Sequence, residues 1–251
     1  MMKPHCFIAA VLMAASAAAH AHQPWVLADD ARVEAGAVTP VRVLFGRAFP
    51  DAELMAPARL HEARIARPSG AVGAIDVAAG NPFATPPLDA AGTWVVGVEQ
   101  ARGYWTKTPD GGRPLPRSEV SEAVRCSYSG NAAKTLMRVG DAEDSAAGRA
   151  LGHRLEILPD ADPTRLAAGD SLIVRVRFDG APHAGPLSAF HADSGETPYA
   201  TLETDDAGRA EVTLSGRGPW MLLARAERPY PDPSICDVEA FHASLTFGGG
   251  Q

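Results

Sequence analysis

The sequence predicts an all-β chain built as two tandem β-sandwiches of immunoglobulin or transthyretin type. Three observations carry that expectation: an internal repeat, a two-residue alternation of apolar and polar side chains, and turn residues too frequent for long helices. In the repeat, Ala35-Gly36 is followed five residues later by Val41-Arg42-Val43-Leu44-Phe45, and Ala168-Gly169 five later by Val174-Arg175-Val176-Arg177-Phe178. A Gly-x-Trp pair then follows each, with Trp94 lying 49 residues after Phe45 and Trp220 lying 42 after Phe178. Two copies of one β unit explain the match, and each tryptophan reads as core packing at the start of an inner strand.

Met1 to Ala21 reads as a secretory signal peptide. Lys3 supplies the positive n-region, the apolar run from Phe7 to Ala19 is too short to span a bilayer, and Ala-x-Ala cleavage sites end at Ala19 and at Ala21. Either cut exposes a histidine. After Ala21, the free amine of His22 lies one chelate ring from its own imidazole, a pair suited to Cu(II), Ni(II) or Co(II). After Ala19, the order His20-Ala21-His22 puts an imidazole at position three, where an amine, two amides and a ring nitrogen can form a square plane. An exposed terminal histidine with no ligand role is the plainer alternative.

Residues 22–145 form the expected N-terminal sandwich, with an excursion over 104–131 read as a long loop that presents Tyr104-Trp105 and holds one short helical candidate, Arg117 to Arg125. The polar, turn-rich Asp141-Ala142-Glu143-Asp144-Ser145 marks the junction. Residues 150–248 form the expected C-terminal sandwich, of carboxypeptidase-regulatory or transthyretin-like type. There Leu172, Val174, Val176 and Phe178 alternate with Ile173, Arg175 and Arg177 as in a half-buried strand. Asp205-Asp206-Ala207-Gly208, between Thr201–Thr204 and Ala210–Leu214, reads as a hairpin turn.

Cys6 departs with the signal, which leaves Cys126 and Cys236, an even pair that reads as a disulfide in an oxidising compartment. A bridge across that interval stabilises by about 4 to 5 kcal/mol on the chain-entropy account. Lys and Arg number 23 against 30 Asp and Glu, a net charge of −7 that becomes one unit more negative when Lys3 is removed. Such a balance argues against nucleic acid as a partner. No second apolar run reaches the length of a membrane span, so the processed chain is expected to be a periplasmic protein that does not itself cross the membrane.

Of the remaining histidines, His242 lies in Phe241-His242-Ala243-Ser244-Leu245-Thr246-Phe247, opposite in parity to Ala243, Leu245 and Phe247. His191 follows Phe190 in a strand-like segment, and both histidines are metal-ligand candidates alongside His22. There is no His-x-x-x-His helix and no Cys-x-x-Cys, so any metal shell must be assembled by the fold. Nucleophile elbows and phosphate-binding glycine loops are absent as well, and the acidic pairs sit beside turns. No enzymatic activity is predicted.

With these residues in view, the chain resembles the NikM-like periplasmic family, a nickel/cobalt-uptake domain otherwise of unknown function. The resemblance runs the mature length. Its marks are His22-Gln23-Pro24-Trp25-Val26-Leu27, Phe45-Gly46-Arg47-Ala48-Phe49-Pro50, Leu155-Glu156-Ile157-Leu158-Pro159 and Leu166-Ala167-Ala168-Gly169-Asp170, with Thr204–Arg209, Gly218–Leu222 and Ala243–Phe247. It implies an exported protein with a leading histidine, binding nickel or cobalt (copper as the alternative ion) for a membrane metal importer or outer-membrane receptor. Relatives often carry histidines where this chain has Arg47 and Ala226-Glu227. Two other functions compete: a non-catalytic module docking to a membrane transporter or receptor through Tyr104-Trp105, and an oxidative copper enzyme built on the terminal histidine.

Overall fold

A computed structural model describes residues 22–216 and 218–248; the signal segment and His20 lie outside the described residues. The first copy contributes β1 (Gln23–Ala28), β2 (Arg32–Val33), β3 (Pro40–Gly46), β4 (Glu53–Leu54), β5 (Leu60–Ala66), β6 (Val72–Ile75), β7 (Phe83–Ala84), β8 (Gly92–Gln100), β9 (Gly103–Thr108), β10 (Gly111–Arg113) and β11 (Arg125–Val139). The second contributes β12 (Leu155–Pro159), β13 (Ser171–Phe178), β14 (Ala181–Pro182), β15 (Pro186–His191), β16 (Ala200–Glu203), β17 (Arg209–Thr213), β18 (Trp220–Pro229) and β19 (Val238–Phe247). The fold is all-β and sandwiched, as the alternation predicts.

The repeat is visible in the pairing. One large sheet runs β16-β15-β18-β19-β11-β8-β5-β6, and two four-stranded sheets are centred on β3 and β13, the strands that carry the repeated Val-Arg-Val segments. Matching β16, β15, β18 and β19 to β6, β5, β8 and β11 makes the large sheet read the same from either edge. The copies meet where β11 and β19 pair in parallel, from Ser127↔Val238 to Thr135↔Thr246. We call this line the seam.

A parallel seam between copies turns one over relative to the other, so their small sheets cover opposite faces. The packing clusters agree. Ala133, Met137, Trp94 and Val96 face Val41 and Val43 of the first small sheet, whereas Leu136, Leu245, Phe247 and Trp220 face Val174 and Val176 of the second. A third cluster sets Trp25, Leu44 and Phe49 against Phe190, Met221 and Leu223, so the first copy's small sheet also covers strands of the second. Trp94 and Trp220 are fully buried, as expected of inner strands. Leu172, Val174 and Val176 point inward while Arg175 and Arg177 stay exposed.

Three local expectations are corrected. The excursion over 104–131 is not a loop: β9 and β10 form an antiparallel ribbon, and β9 pairs with the beginning of β11 from Arg125↔Lys107 to Ser129↔Gly103. The ribbon frees those backbone groups from solvent, an outcome that its Gly, Pro and charged residues hid. The helical candidate is reduced to one 3-10 turn, Arg117–Glu119. Asp205 to Gly208 does make a turn, with the Gly208 N–H donating to the Asp205 carbonyl at 2.7 Å and Gly208 at φ +72°. It is a corner and not a hairpin, because β16 joins the large sheet and β17 the small one.

The disulfide is present between Cys126 and Cys236, both fully buried. It closes the end of the seam where the parallel pairing begins, one residue before Ser127 on β11 and two before Val238 on β19. Among the described residues no helix is long and apolar enough to cross a membrane.

Candidate functional site

The first strand of each copy crosses the seam, and the first copy's crossing builds the candidate site. On β19, His242, Ser244 and Thr246 share the face opposite to Phe241, Ala243 and Leu245, the parity read from the sequence. That face is not open to water, because β1 lies over it. The Ser244 hydroxyl donates to the Pro24 carbonyl at 2.9 Å, and the Thr246 hydroxyl donates to the Val26 carbonyl. Both pairs are 220 residues apart, and that offset carried one pair beyond the start of β1 would set His22 level with His242.

A polar row crosses the sheet at this level. Arg225 pairs with His242 across β18 and β19, and His242 with Asn131 across β19 and β11. The Asn131 side chain accepts from the His242 backbone N–H at 3.2 Å and donates to Gln100 at 3.0 Å. Arg225 donates to the Gln23 side chain at 3.3 Å. On the other flank, Arg59 lies against the Gln100 amide and its guanidinium carbon sits 4.0 Å from the centre of the Phe45 ring. The exposed His22 ring stacks on the same phenylalanine, with centroids 5.5 Å apart and planes 23° from parallel.

Nδ1 of His242 is buried with no hydrogen-bond partner among the described residues. Burial, with Arg225 adding repulsion, pushes this imidazole down to about 4. It is therefore neutral at ordinary pH, the form that can ligate a metal. Among the described residues no three His, Cys, Asp or Glu side chains gather into a metal cluster.

His191 lies elsewhere. It pairs with Trp220, which pairs with Phe247, five residues from His242, about 16 Å along the strand. Its ring packs 4.9 Å from Trp220, and its Nδ1 is 3.7 Å from an Asp193 carboxylate oxygen. Of the three predicted ligands, His22 packs on Phe45 just before β1, His242 sits on β19 beside Arg225 and Asn131, and His191 lies apart from both. Arg47 is exposed just past β3, Ala226 is buried, and Glu227 is ion-paired with Arg125 at 2.6 Å.

Arg225, Asn131, Gln100 and Arg59 were not singled out from sequence. One signal was available: Met221, Leu223 and Arg225 form one face of β18, an apolar stripe broken by a cation.

The second copy's crossing is built differently. There β12 brings Glu156 beneath the seam, where the fully buried Lys134 ammonium lies 3.6 Å from its carboxylate. His153 Nδ1 is 3.9 Å from the same oxygen. Backbone N–H groups of Leu151 and Gly152 also donate to Glu156. Burial lowers the Lys134 ammonium, and burial with nearby Lys134 and Arg64 pushes His153 down to about 3. Gly97 makes the closure possible, since a Cβ there would sit 2.3 Å from Leu151 and 2.7 Å from His153.

No curated protein matches the chain. Among solved structures, the D0-D1 domain of intimin is 18% identical, with 88% of this chain and 96% of that chain covered and a TM-score of 0.24. The E. coli alpha-2-macroglobulin is 14% identical over 92% of this chain, with a TM-score of 0.23. A Salmonella alpha-2-macroglobulin mutant is 13% identical over 90%, with a TM-score of 0.24. This chain spans only 14% and 15% of those two macroglobulin chains. A family profile matches residues 19–228, most of the length, and the chain belongs to that family, described as a domain of unknown function, DUF4198.

Proposed function

We propose that the chain is a periplasmic carrier, not an enzyme, that binds a divalent transition-metal ion at His22 and His242 and delivers it to a membrane uptake system. Nickel or cobalt is the cargo, with copper as the alternative. The observation that carries the reading is the partly buried, neutral His242 imidazole, whose Nδ1 is shielded from water with no partner among the described residues, on the strand face that β1 covers. Cleavage after Ala21 would add the third donor, a terminal amine one chelate ring from the His22 imidazole. The disulfide is compatible with export, and the NikM-like resemblance points to the same ions.

Such a donor set also suits release. Amine and imidazole bind metal only when deprotonated, so affinity falls as protons are added. Calorimetry with Ni(II), Co(II) and Cu(II) on the exported protein, its first residue fixed by intact mass, tests the reading. His22→Ala, His242→Ala and an added alanine before His22 should each weaken binding at least tenfold; equal affinity in all three would end it.

A docking module remains the second reading because Trp105 is 54% exposed on the β9–β10 ribbon, its ring held over Gly112. Exposed aromatics of this kind anchor interfaces. Trp105→Ala should then remove crosslinking to a membrane transporter in cells and leave the metal titration unchanged.

A further inference from the structure

The charges around His242 are the wrong sign for a bare dication. Among the described residues, Arg59 and Arg225 have no carboxylate partner. Ten other arginines, including Arg42, Arg64, Arg67 and Arg154, are ion-paired, and the rest of the described arginines that lack a carboxylate are exposed. In a chain with 30 acidic residues, the only two partly buried unpaired guanidiniums among the described residues therefore stand at the two ends of the polar row that contains His242. Shielding a cation from water without a counter-charge is unfavourable, and a second positive charge beside it adds repulsion.

We infer that the ion is carried as an anionic complex with a small polycarboxylate, whose free carboxylates pair with Arg59 and Arg225 while His22 and His242 complete the metal's shell. The inference rests on the metal site proposed above. Guanidinium groups match carboxylates by paired N–H donors in a fixed fork, which a carboxylate chelate can present on both flanks. The chelator turns the local charge from repulsive to attractive. The exposed His22 ring leaves that side open for a ligand larger than an ion.

Equilibrium dialysis of the exported protein against labelled Ni(II), with and without labelled citrate, separates the outcomes. The expected result is nickel and citrate retained together in equal amounts. Arg59→Gln and Arg225→Gln should weaken citrate retention at least tenfold and tighten bare Ni(II) several-fold, because each removes a repelling charge. Arg225→Lys should keep most citrate retention, and thermal unfolding checks that each variant is folded. Nickel retained from the citrate-containing dialysis with no citrate beside it overturns this inference and leaves the metal site standing. Citrate held equally without nickel also overturns it, as do substitutions that move both affinities in the same direction. Retention of neither ligand removes the metal site and the inference together.

Discussion

The two crossings of the seam occupy matching places in a repeated fold, yet one is closed and the other open. Under β12, Lys134, Glu156 and His153 sit out of water and their charges are balanced within the protein. Under β1, Arg225 and Arg59 have only neutral partners, His242 has a free nitrogen, and His22 is exposed. Position in the fold is thus the same; charge compensation and exposure differ. A closed ionic cluster is a stability element whose removal is felt by folding, whereas an uncompensated one is a place where a ligand can supply what is missing.

Breaking the shared frame should give the largest effect, because both crossings hang on the seam. Replacing Cys126 and Cys236 by serine removes the clamp at its beginning. The expected loss is about 4 kcal/mol, read as a lower denaturation midpoint with a steeper slope, because the unfolded chain is no longer cross-linked. If the double variant unfolds at the wild-type midpoint, the disulfide does not hold the seam.

The closed crossing comes next. Glu156→Gln leaves the Lys134 ammonium buried without a counter-charge and should cost about 3 kcal/mol. Lys134→Met replaces the charge by an apolar chain of similar length, and Glu156 keeps its bonds from Leu151 and Gly152. Alone it still strips a buried carboxylate of its cation and should cost about 3 kcal/mol, whereas Lys134→Met combined with Glu156→Gln exchanges the whole pair for packing and should cost clearly less than either single change. A double variant that loses the sum of the two single losses would mean that the carboxylate has no role in compensating the lysine.

Much of this frame was legible. The Val-Arg-Val and Gly-x-Trp repeats marked β3, β13, β8 and β18, and the alternation over residues 172–178 marked inward and outward faces. What could not be read was how the copies meet. A two-residue period states which side chains share a face but not which strand lies beside them, so the parallel register of β11 with β19 left no local trace. The parity of β19 therefore gives the face of His242, and only the fold gives β1 as the strand that covers it. Lys134 and Asn131 carry no sequence signal for the same reason. The corner at Asp205–Gly208 failed differently: a turn motif fixes its own hydrogen bonds and not the sheets its flanks join.

The smallest effect sharpens the comparison from the side of protonation. His153 and His242 are held at about 3 and about 4, both below the 6.5 of an ordinary histidine. Lys134, Arg64 and Glu156 face the first; Arg225, with the neutral Asn131, faces the second. Between those values and 6.5 the unfolded chain binds protons that the folded chain does not, so stability rises with pH across that window and is flat with respect to these groups above it. Each histidine contributes a slope of about 1.4 kcal/mol per pH unit between pH 4.5 and 6. His153→Gln or His242→Asn should each remove one such contribution, measured as the difference between variant and wild-type denaturation at a series of pH values. Metal separates the two: Ni(II) at saturating concentration should raise stability, because only the folded protein holds the ion, and His242→Asn should remove that gain while His153→Gln leaves it unchanged. A nickel-dependent change that persists in His242→Asn and disappears in His153→Gln would place the ion at the closed crossing and reverse the assignment of the two regions.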